Sequence, residues 1–157
     1  MKSILLVVGK TDDNYLEEGI KKYTKRITKY LPFDVQVIPD LKNTKNLPKE
    51  VQKQKEGELI LKKFLPGDYI VLCDEKGKEF TSETYAKWLN TIYLTGYKRL
   101  VFVVGGAYGF SNDVYSKGNA KLSISKMTFS HQMIRLLFVE QFYRAQTILK
   151  GEPYHHI

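Results

Sequence analysis

The sequence predicts an α/β fold, in which a mainly parallel sheet is covered by helices. Runs rich in β-branched residues and leucine, such as Ser3 to Val8, alternate along the chain with segments whose apolar residues recur every three or four positions. These are the periods of buried strands and of amphipathic helices. Glycine directly follows the first and the fourth strand-like run, at Gly9 and Gly105. Such regular alternation is typical of parallel sheets, because each parallel strand needs a crossover connection.

The first half of the chain predicts two strands and two helices. The run from Ser3 to Val8 is almost entirely apolar, which suits a strand buried on both faces. A helix follows from Asp12 and ends before Pro32, because proline disfavours helical geometry in the preceding residue. Residues 33–37 alternate apolar with polar side chains as in a second strand, and a lysine-rich helix then extends to about Phe64.

The second half predicts three strands and three helices. Thr81 or Ser82 can cap the helix that follows the third strand. In chain order the predicted elements are a turn at 66–68, a strand at 69–73, a helix through Trp88, a strand at 99–104, a short helix at 111–117, a strand at 120–125 and the terminal helix. There is no internal repeat and no linker, so we expect residues 1–157 to form a single domain.

Composition favours an anionic partner. The 25 lysine and arginine residues exceed the 17 acidic residues and leave a net charge of +8, spread along the chain. Cys73 is the single cysteine and no zinc-type spacing occurs, so we expect a reducing compartment and no metal. The first apolar run is too short for a signal peptide, and no run is long enough to cross a bilayer. We therefore expect a cytoplasmic protein without membrane contact.

The terminal helix is the most apolar segment of the chain. A helix that is apolar all round has to be covered all round. One side can pack on the sheet, and a second copy of the chain is the simplest cover for the other. We therefore predict a homodimer; the alternative is a central helix within a monomer. The apolar residues are Met133, Ile134, Leu136, Leu137, Phe138, Val139, Phe142, Tyr143, Ile148 and Leu149.

Three charged residues interrupt this apolar helix, namely Arg135, Glu140 and Arg144. Charged groups beside a buried face need partners. Two readings stay open: Glu140 and Arg144 form an internal ion pair, or Arg144 faces a phosphate or a base while Glu140 orients it. His131, near the expected start of the helix, is interpreted as a packing or capping residue.

Three strand ends are candidates for a ligand site, because exposed backbone amides meet where parallel strands end. They are residues 72–78, the glycine-rich turn at 105–110 and residues 123–131. Common nucleotide signatures fail: the glycine turn lacks the dinucleotide spacing, and Ile4 stands where a phosphate loop needs its first glycine.

Four motifs in order, "VVGGAYG", "LSISKMTFSHQMIR", "VEQFYRA" and "PYHH", resemble the ribosomal RNA large subunit methyltransferase H family of the SPOUT class. The resemblance extends from "ILLVVGK" to the tail. It implies a SPOUT-type α/β knot with helices on both faces of the sheet and a C-terminal trefoil knot. It also implies a homodimer, S-adenosylmethionine as methyl donor, and methylation of N3 of a pseudouridine in large-subunit (23S) ribosomal RNA, on the assembled ribosome.

Carried over by position, the resemblance implies two groups of site residues. The catalytic or RNA-facing group is Glu140, Arg144, Tyr154 and His155. The cofactor-binding group is Cys73, Gly105, Gly106, Gly109, Ile124, Ser125, Lys126, Met127, Thr128 and Phe129. Cys73 stands where the family commonly has leucine, and Ser130 where it usually has proline. The short tail after the apolar helix is expected to reach the active site of a dimer.

The hypothesis for the reaction gives each polar residue a role. His155 or Glu140 accepts the N3 proton, and Arg144 stabilises the resulting anion at a carbonyl oxygen. Two other classes stay open on the residues alone. A non-catalytic, basic RNA- or ribosome-binding protein would not bind S-adenosylmethionine, and an oxidoreductase would bind a nicotinamide cofactor at the glycine turn instead.

Overall fold

The computed structural model describes residues 1–156 and contains one five-stranded sheet. The strands are β1 (Lys2–Val8), β2 (Phe33–Ile38), β3 (Asp68–Lys78), β4 (Arg99–Val104) and β5 (Ala120–Leu122). The helices are α1 (Asn14–Ile27), α2 (Lys49–Leu61), α3 (Ser82–Tyr93), α4 (Asn112–Lys117) and α5 (Met133–Leu149). The alternation predicted from the sequence is confirmed element by element.

The strand order is β2-β1-β4-β3-β5, and every pairing is parallel. Val104 at the end of β4 lies opposite both Val7 of β1 and Cys73 of β3. The carboxyl ends of these three central strands therefore meet at one edge of the sheet. Ligands of open parallel sheets bind at such an edge.

Each face of the sheet packs on its own set of helices. Leu5 and Val7 point to one face, together with residues of α1, α3 and α5. Leu6 and Val8 point to the other, where they meet Ile60 of α2 and residues of α4. This alternation follows from the two-residue period of a strand. Helices on both faces, as expected, are confirmed.

Helix α5 lies on the sheet between α1 and α3. The ring of Phe102 in β4 lies 4.7 Å from that of Phe138 and 5.4 Å from that of Phe142, centroid to centroid. Leu149, in contrast, is 37% exposed. The sheet therefore covers one side of the helix, while several apolar residues of the other side stay partly exposed.

Element boundaries differ from the prediction at three places. Strand β3 continues to Lys78 because Leu122 pairs with both Cys73 and Lys78, across an irregularity in the ladder. Strand β5 ends at Leu122, since the Ser123 hydroxyl donates to the Ser125 carbonyl at 2.9 Å and turns the chain away. Helix α5 starts only at Met133. The cap at Thr81 is confirmed, and its side chain accepts from the amide of Thr84.

Threading of the C-terminal segment through a loop stays a prediction. Within residues 1–156, every helix is too short or too polar to cross a membrane.

Candidate cofactor and catalytic site

A cavity of about 580 Å³ opens at the carboxyl ends of β3, β4 and β5. It collects nearly all residues of the cofactor-binding prediction. These are Cys73, Gly105, Gly106, Gly109, Ile124, Ser125, Met127, Thr128 and Phe129. Lys126 is the exception: its ammonium lies 3.8 Å from Glu79 Oε1, and its side chain is exposed outside the cavity.

The glycine turn after β4 is fixed from behind by Glu56. The amide of Gly106 donates to Glu56 Oε1 at 3.1 Å. A Cβ on Gly106 would lie 2.5 Å from that same oxygen, and Gly109 has a φ of +81°, which favours glycine. Burial is the main reason that the pKa of Glu56 is raised, and nearby Asp40 adds to it. The turn therefore presents bare backbone to the cavity.

The facing wall is the segment 123–131, which is held by its own polar side chains. The Met127 amide donates to Ser125 Oγ at 2.9 Å, and Thr128 Oγ1 donates to Glu75 Oε2 at 3.0 Å. Met127 and Phe129 stay largely exposed at the cavity mouth. This wall offers backbone groups and apolar surface, which suit a nucleoside better than a phosphate chain.

Asp74 is committed to a protein partner at the rim of the cavity. The hydroxyl of Tyr115 donates a short hydrogen bond to Asp74 Oδ2. Burial, followed by this bond, raises the pKa of Tyr115 to about 12. Both groups therefore act as fixed parts of the wall at neutral pH.

Burial raises the pKa of the Cys73 thiol to about 12, from a value of 9.0. We expect the free energy of unfolding to fall as pH rises above 9, because the unfolded chain releases this proton first. At pH 9.5 the loss is on the order of 1 kcal/mol. Urea unfolding at pH 8 and 9.5 tests this, with Cys73→Ala as the control that lacks the loss. Equal pH dependence in both proteins would contradict it.

The predicted catalytic residues come together in one charged network beside α3. Arg144 Nε donates to Glu140 Oε1 at 2.8 Å, and Arg144 Nη2 donates to Glu140 Oε2 at 3.3 Å. Arg144 Nη1 lies 3.1 Å from His155 Nδ1. His155 Nε2 lies 3.0 Å from Glu83 Oε1. We call Glu83, Glu140, Arg144 and His155 the tail network.

The partners of His155 define where its proton sits. A guanidinium has only donors, so Nδ1 of His155 accepts from Arg144. Nε2 then carries the hydrogen and donates it to Glu83. The hydrogen bond to Glu140 is the main reason that the pKa of Arg144 is raised. Arg144 is therefore a permanent cation with one edge held by a carboxylate.

Tyr154 packs over this cation. Arg144 Cζ lies 4.8 Å from the centroid of the Tyr154 ring. The rings of Tyr143 and Tyr154 pack edge to face, with their centroids 4.7 Å apart. Burial, then a hydrogen bond with Tyr23, raises the pKa of Tyr154 to about 12. Tyr154 stays protonated at neutral pH, so it orients Arg144 and does not accept a proton there.

Arg135 is a site residue whose role sequence reasoning missed. Its side chain is 1% exposed. Nη2 donates to the Val8 carbonyl at 2.7 Å, Nη1 to the Gly9 carbonyl at 2.8 Å and Nε to the His131 carbonyl at 3.0 Å. Burial lowers the pKa of Arg135. This guanidinium ties the end of β1 to the cavity segment 123–131, a pairing that only the folded chain reveals.

The N-terminal end of α5 narrows the interpretation of His131 to the first of its two alternatives. Ser130 Oγ accepts from the Met133 amide at 3.1 Å in the turn that precedes α5. His131 lines the cavity and contributes its carbonyl to Arg135. It is a packing residue and not a cap.

Residues 1–156 contain no group of three or more metal-ligating side chains that could hold an ion.

Comparison with known proteins points to one family. The family model described as "Predicted SPOUT methyltransferase" matches residues 1–155. Proteins called ribosomal RNA large subunit methyltransferase H are 62% identical in Parabacteroides distasonis, 58% in Bacteroides thetaiotaomicron and 55% in Christiangramia forsetii. The matches cover 99%, 99% and 97% of this chain, and the same shares of those proteins.

A solved structure supports the likeness of fold. It is a probable methylase family protein from Haemophilus influenzae Rd KW20, with a TM-score of 0.52 and 10% sequence identity. The match covers 99% of this chain and 70% of that one.

Proposed function

Because the chain belongs to the SPOUT methyltransferase family, with ribosomal RNA large subunit methyltransferase H proteins as its relatives, we propose that it methylates N3 of a pseudouridine in 23S ribosomal RNA. The enzyme is an S-adenosylmethionine-dependent ribosomal RNA methyltransferase. We further propose that it acts on the assembled ribosome, in the cytoplasm. The observation that carries the site assignment is the cavity between the glycine turn and segment 123–131, with the tail network beside it.

The cavity residues fit the cofactor. Bare backbone at Gly105 and Gly106, apolar side chains at Ile124 and Phe129, and a volume of about 580 Å³ suit an adenosine group held by backbone contacts. We assign cofactor binding to the lining residues of the prediction, and we leave Lys126 to a surface role. When bound, S-adenosylmethionine supplies a methyl group on a sulfonium leaving group.

The tail network supplies the charge that the acceptor base needs. When N3 loses its proton, negative charge develops on N3 and the ring carbonyls, and this charge is consumed as N3 takes the methyl group. Arg144, held on one edge by Glu140, would donate to such an oxygen with its other edge. When Nη1 turns to the substrate, Nδ1 of His155 is released and can accept the N3 proton, while Glu83 stabilises the imidazolium through Nε2.

A homodimer is part of this proposal. Met133 and Leu137 of α5 are only partly buried, and Leu149 near its end is exposed. A second copy packed on this helix would cover them. Whether the tail serves its own cavity or the partner's, the contacts of His155 to Arg144 and Glu83 are made within one protomer.

The test is methyl transfer to ribosomes that lack the modification, with deproteinised ribosomal RNA as a parallel substrate. We expect label from methyl-labelled S-adenosylmethionine in the large-subunit RNA of ribosomes, and N3-methylpseudouridine after nuclease digestion. Label in a different nucleoside would overturn the N3 assignment. No transfer and no cofactor binding would favour the non-catalytic RNA-binding protein.

Gly106→Ala is expected to weaken S-adenosylmethionine binding by roughly tenfold or more. The added Cβ would lie 2.5 Å from Glu56 Oε1, so the carboxylate or the glycine turn has to move and the hydrogen bond that fixes the turn is lost. Titration calorimetry measures the affinity. Gly96→Ala is the matched control, because a Cβ there meets no atom within 4 Å. Equal affinities of the two variants would contradict the assigned pocket.

A further inference from the structure

A second cavity of about 320 Å³ lies directly beside the cofactor cavity. The two share one wall, which consists of Leu122, Ser123, Ile124, Ser125 and Phe129. A molecule in the second cavity is therefore separated from the cofactor only by this short segment and the opening beside it.

The second cavity also touches the tail network, through Glu140. Glu140 lines this cavity, and the same carboxylate holds Arg144 at 2.8 Å. Within one protomer the second cavity therefore adjoins the cofactor cavity through the shared wall, and it adjoins Arg144 and His155 through Glu140. A group methylated by this enzyme has to lie between the cofactor and the charges that stabilise it.

The lining suits a flat, neutral heteroaromatic ring. Phe80 and Phe129 give aromatic surface, and Phe80 is itself backed by Trp88, whose ring stacks at 5.0 Å. Stacking on aromatic side chains is the usual way in which proteins hold an unstacked base.

One polar side chain in the lining can read the edge of a base. Ser82 Oγ donates to Gln141 Oε1 at 2.9 Å, which fixes the amide orientation. Gln141 Nε2 makes no hydrogen bond to another described residue, so its hydrogens can go to a ring carbonyl.

We propose that the second cavity receives the acceptor base, a uracil-type ring turned out of its stack, and that Gln141 binds one of its carbonyl oxygens. This inference rests on the proposed methyltransferase function. Gln141 is assigned as a substrate-binding residue, held in place by Ser82.

The test compares Gln141→Leu and Gln141→Glu with wild type in methyl transfer to unmodified ribosomes. Gln141→Leu removes the donor, and Gln141→Glu replaces it by a carboxylate of the same shape that repels a carbonyl oxygen. We expect kcat/KM for ribosomes to fall at least tenfold in both, with unchanged thermal stability and unchanged affinity for S-adenosylmethionine. Gln54→Leu is the matched control, since Gln54 is exposed on α2, on the other face of the sheet.

Three outcomes separate this inference from the proposed function. No transfer by wild type would refute the function itself. Transfer by wild type with equal kcat/KM in both Gln141 variants would refute the base site alone. A loss of cofactor affinity in Gln141→Leu as large as the loss in kcat/KM would assign the cavity to the cofactor instead.

Discussion

Arg144→Ala is expected to lower kcat for methyl transfer by about 10²–10³-fold, the range measured when one preorganised donor to a developing anion is removed. The guanidinium joins Glu140, His155 and the ring of Tyr154, so its removal both deletes the cation and frees the tail. Affinity for S-adenosylmethionine should stay within about twofold, because Arg144 does not line the cofactor cavity. Single-turnover rates and titration calorimetry measure the two quantities.

Arg144→Lys is the matched control for charge. An ammonium is a point charge without the planar fork, so it cannot bind Glu140 through two nitrogens and His155 through a third. We expect it to recover only part of the rate. A near-normal kcat in Arg144→Ala would sink the assigned role, and the ion pair with Glu140 would then be structural only.

Arg135→Leu is expected to lower the free energy of unfolding by at least about 3 kcal/mol. It leaves the carbonyls of Val8, Gly9 and His131 without their donor, and each buried acceptor left unpaired costs about 1–3 kcal/mol. For a chain of this size, the melting temperature should fall by roughly 6–12 °C. Urea and thermal unfolding provide both values.

Two further variants keep this prediction testable if Arg135→Leu does not fold. Arg135→Lys should lie between wild type and the leucine variant, since one ammonium replaces a three-way fork. Lys150→Ala, at the exposed end of the same helix, should change stability by less than about 0.5 kcal/mol. If Arg135→Leu unfolds at the same urea concentration as Lys150→Ala, the buried clamp is not a stabilising feature.

Most of the fold could be predicted because strands and helices differ in the spacing of their apolar residues. Runs such as residues 99–104 are apolar on both faces, and the alternation with amphipathic helices implied crossovers and a parallel sheet. The lengths of β3 and β5 were not predictable, since Leu122 pairs with two residues of β3 and Ser123 turns the chain through its own hydroxyl. Periodicity also contains no information on threading, which depends on the path of whole segments.

Part of the candidate site could likewise be predicted from the sequence, and part could not. The glycine turn could be found from its residues, because three glycines after a strand allow sharp turns and close approach. The roles of the other cofactor residues came from the family resemblance. The partners of charged residues were beyond reach: Glu83 and His155 are 72 positions apart, and Arg135 and Gly9 are 126 apart. Only the folded structure shows which of the many charged side chains contact each other.

The contact between Arg135 and Gly9 also sets an order of events during folding. It joins the two ends of the chain, and α5 packs in a space framed by α1 and α3. During synthesis, β1 to β4 can assemble before α5 has been made, but segment 123–131 gains its anchor only when Arg135 reaches the end of β1. Contacts of such long sequence separation form late and slowly. We therefore expect the cofactor site to be completed as one of the last steps of folding, after nearly the whole chain has been translated.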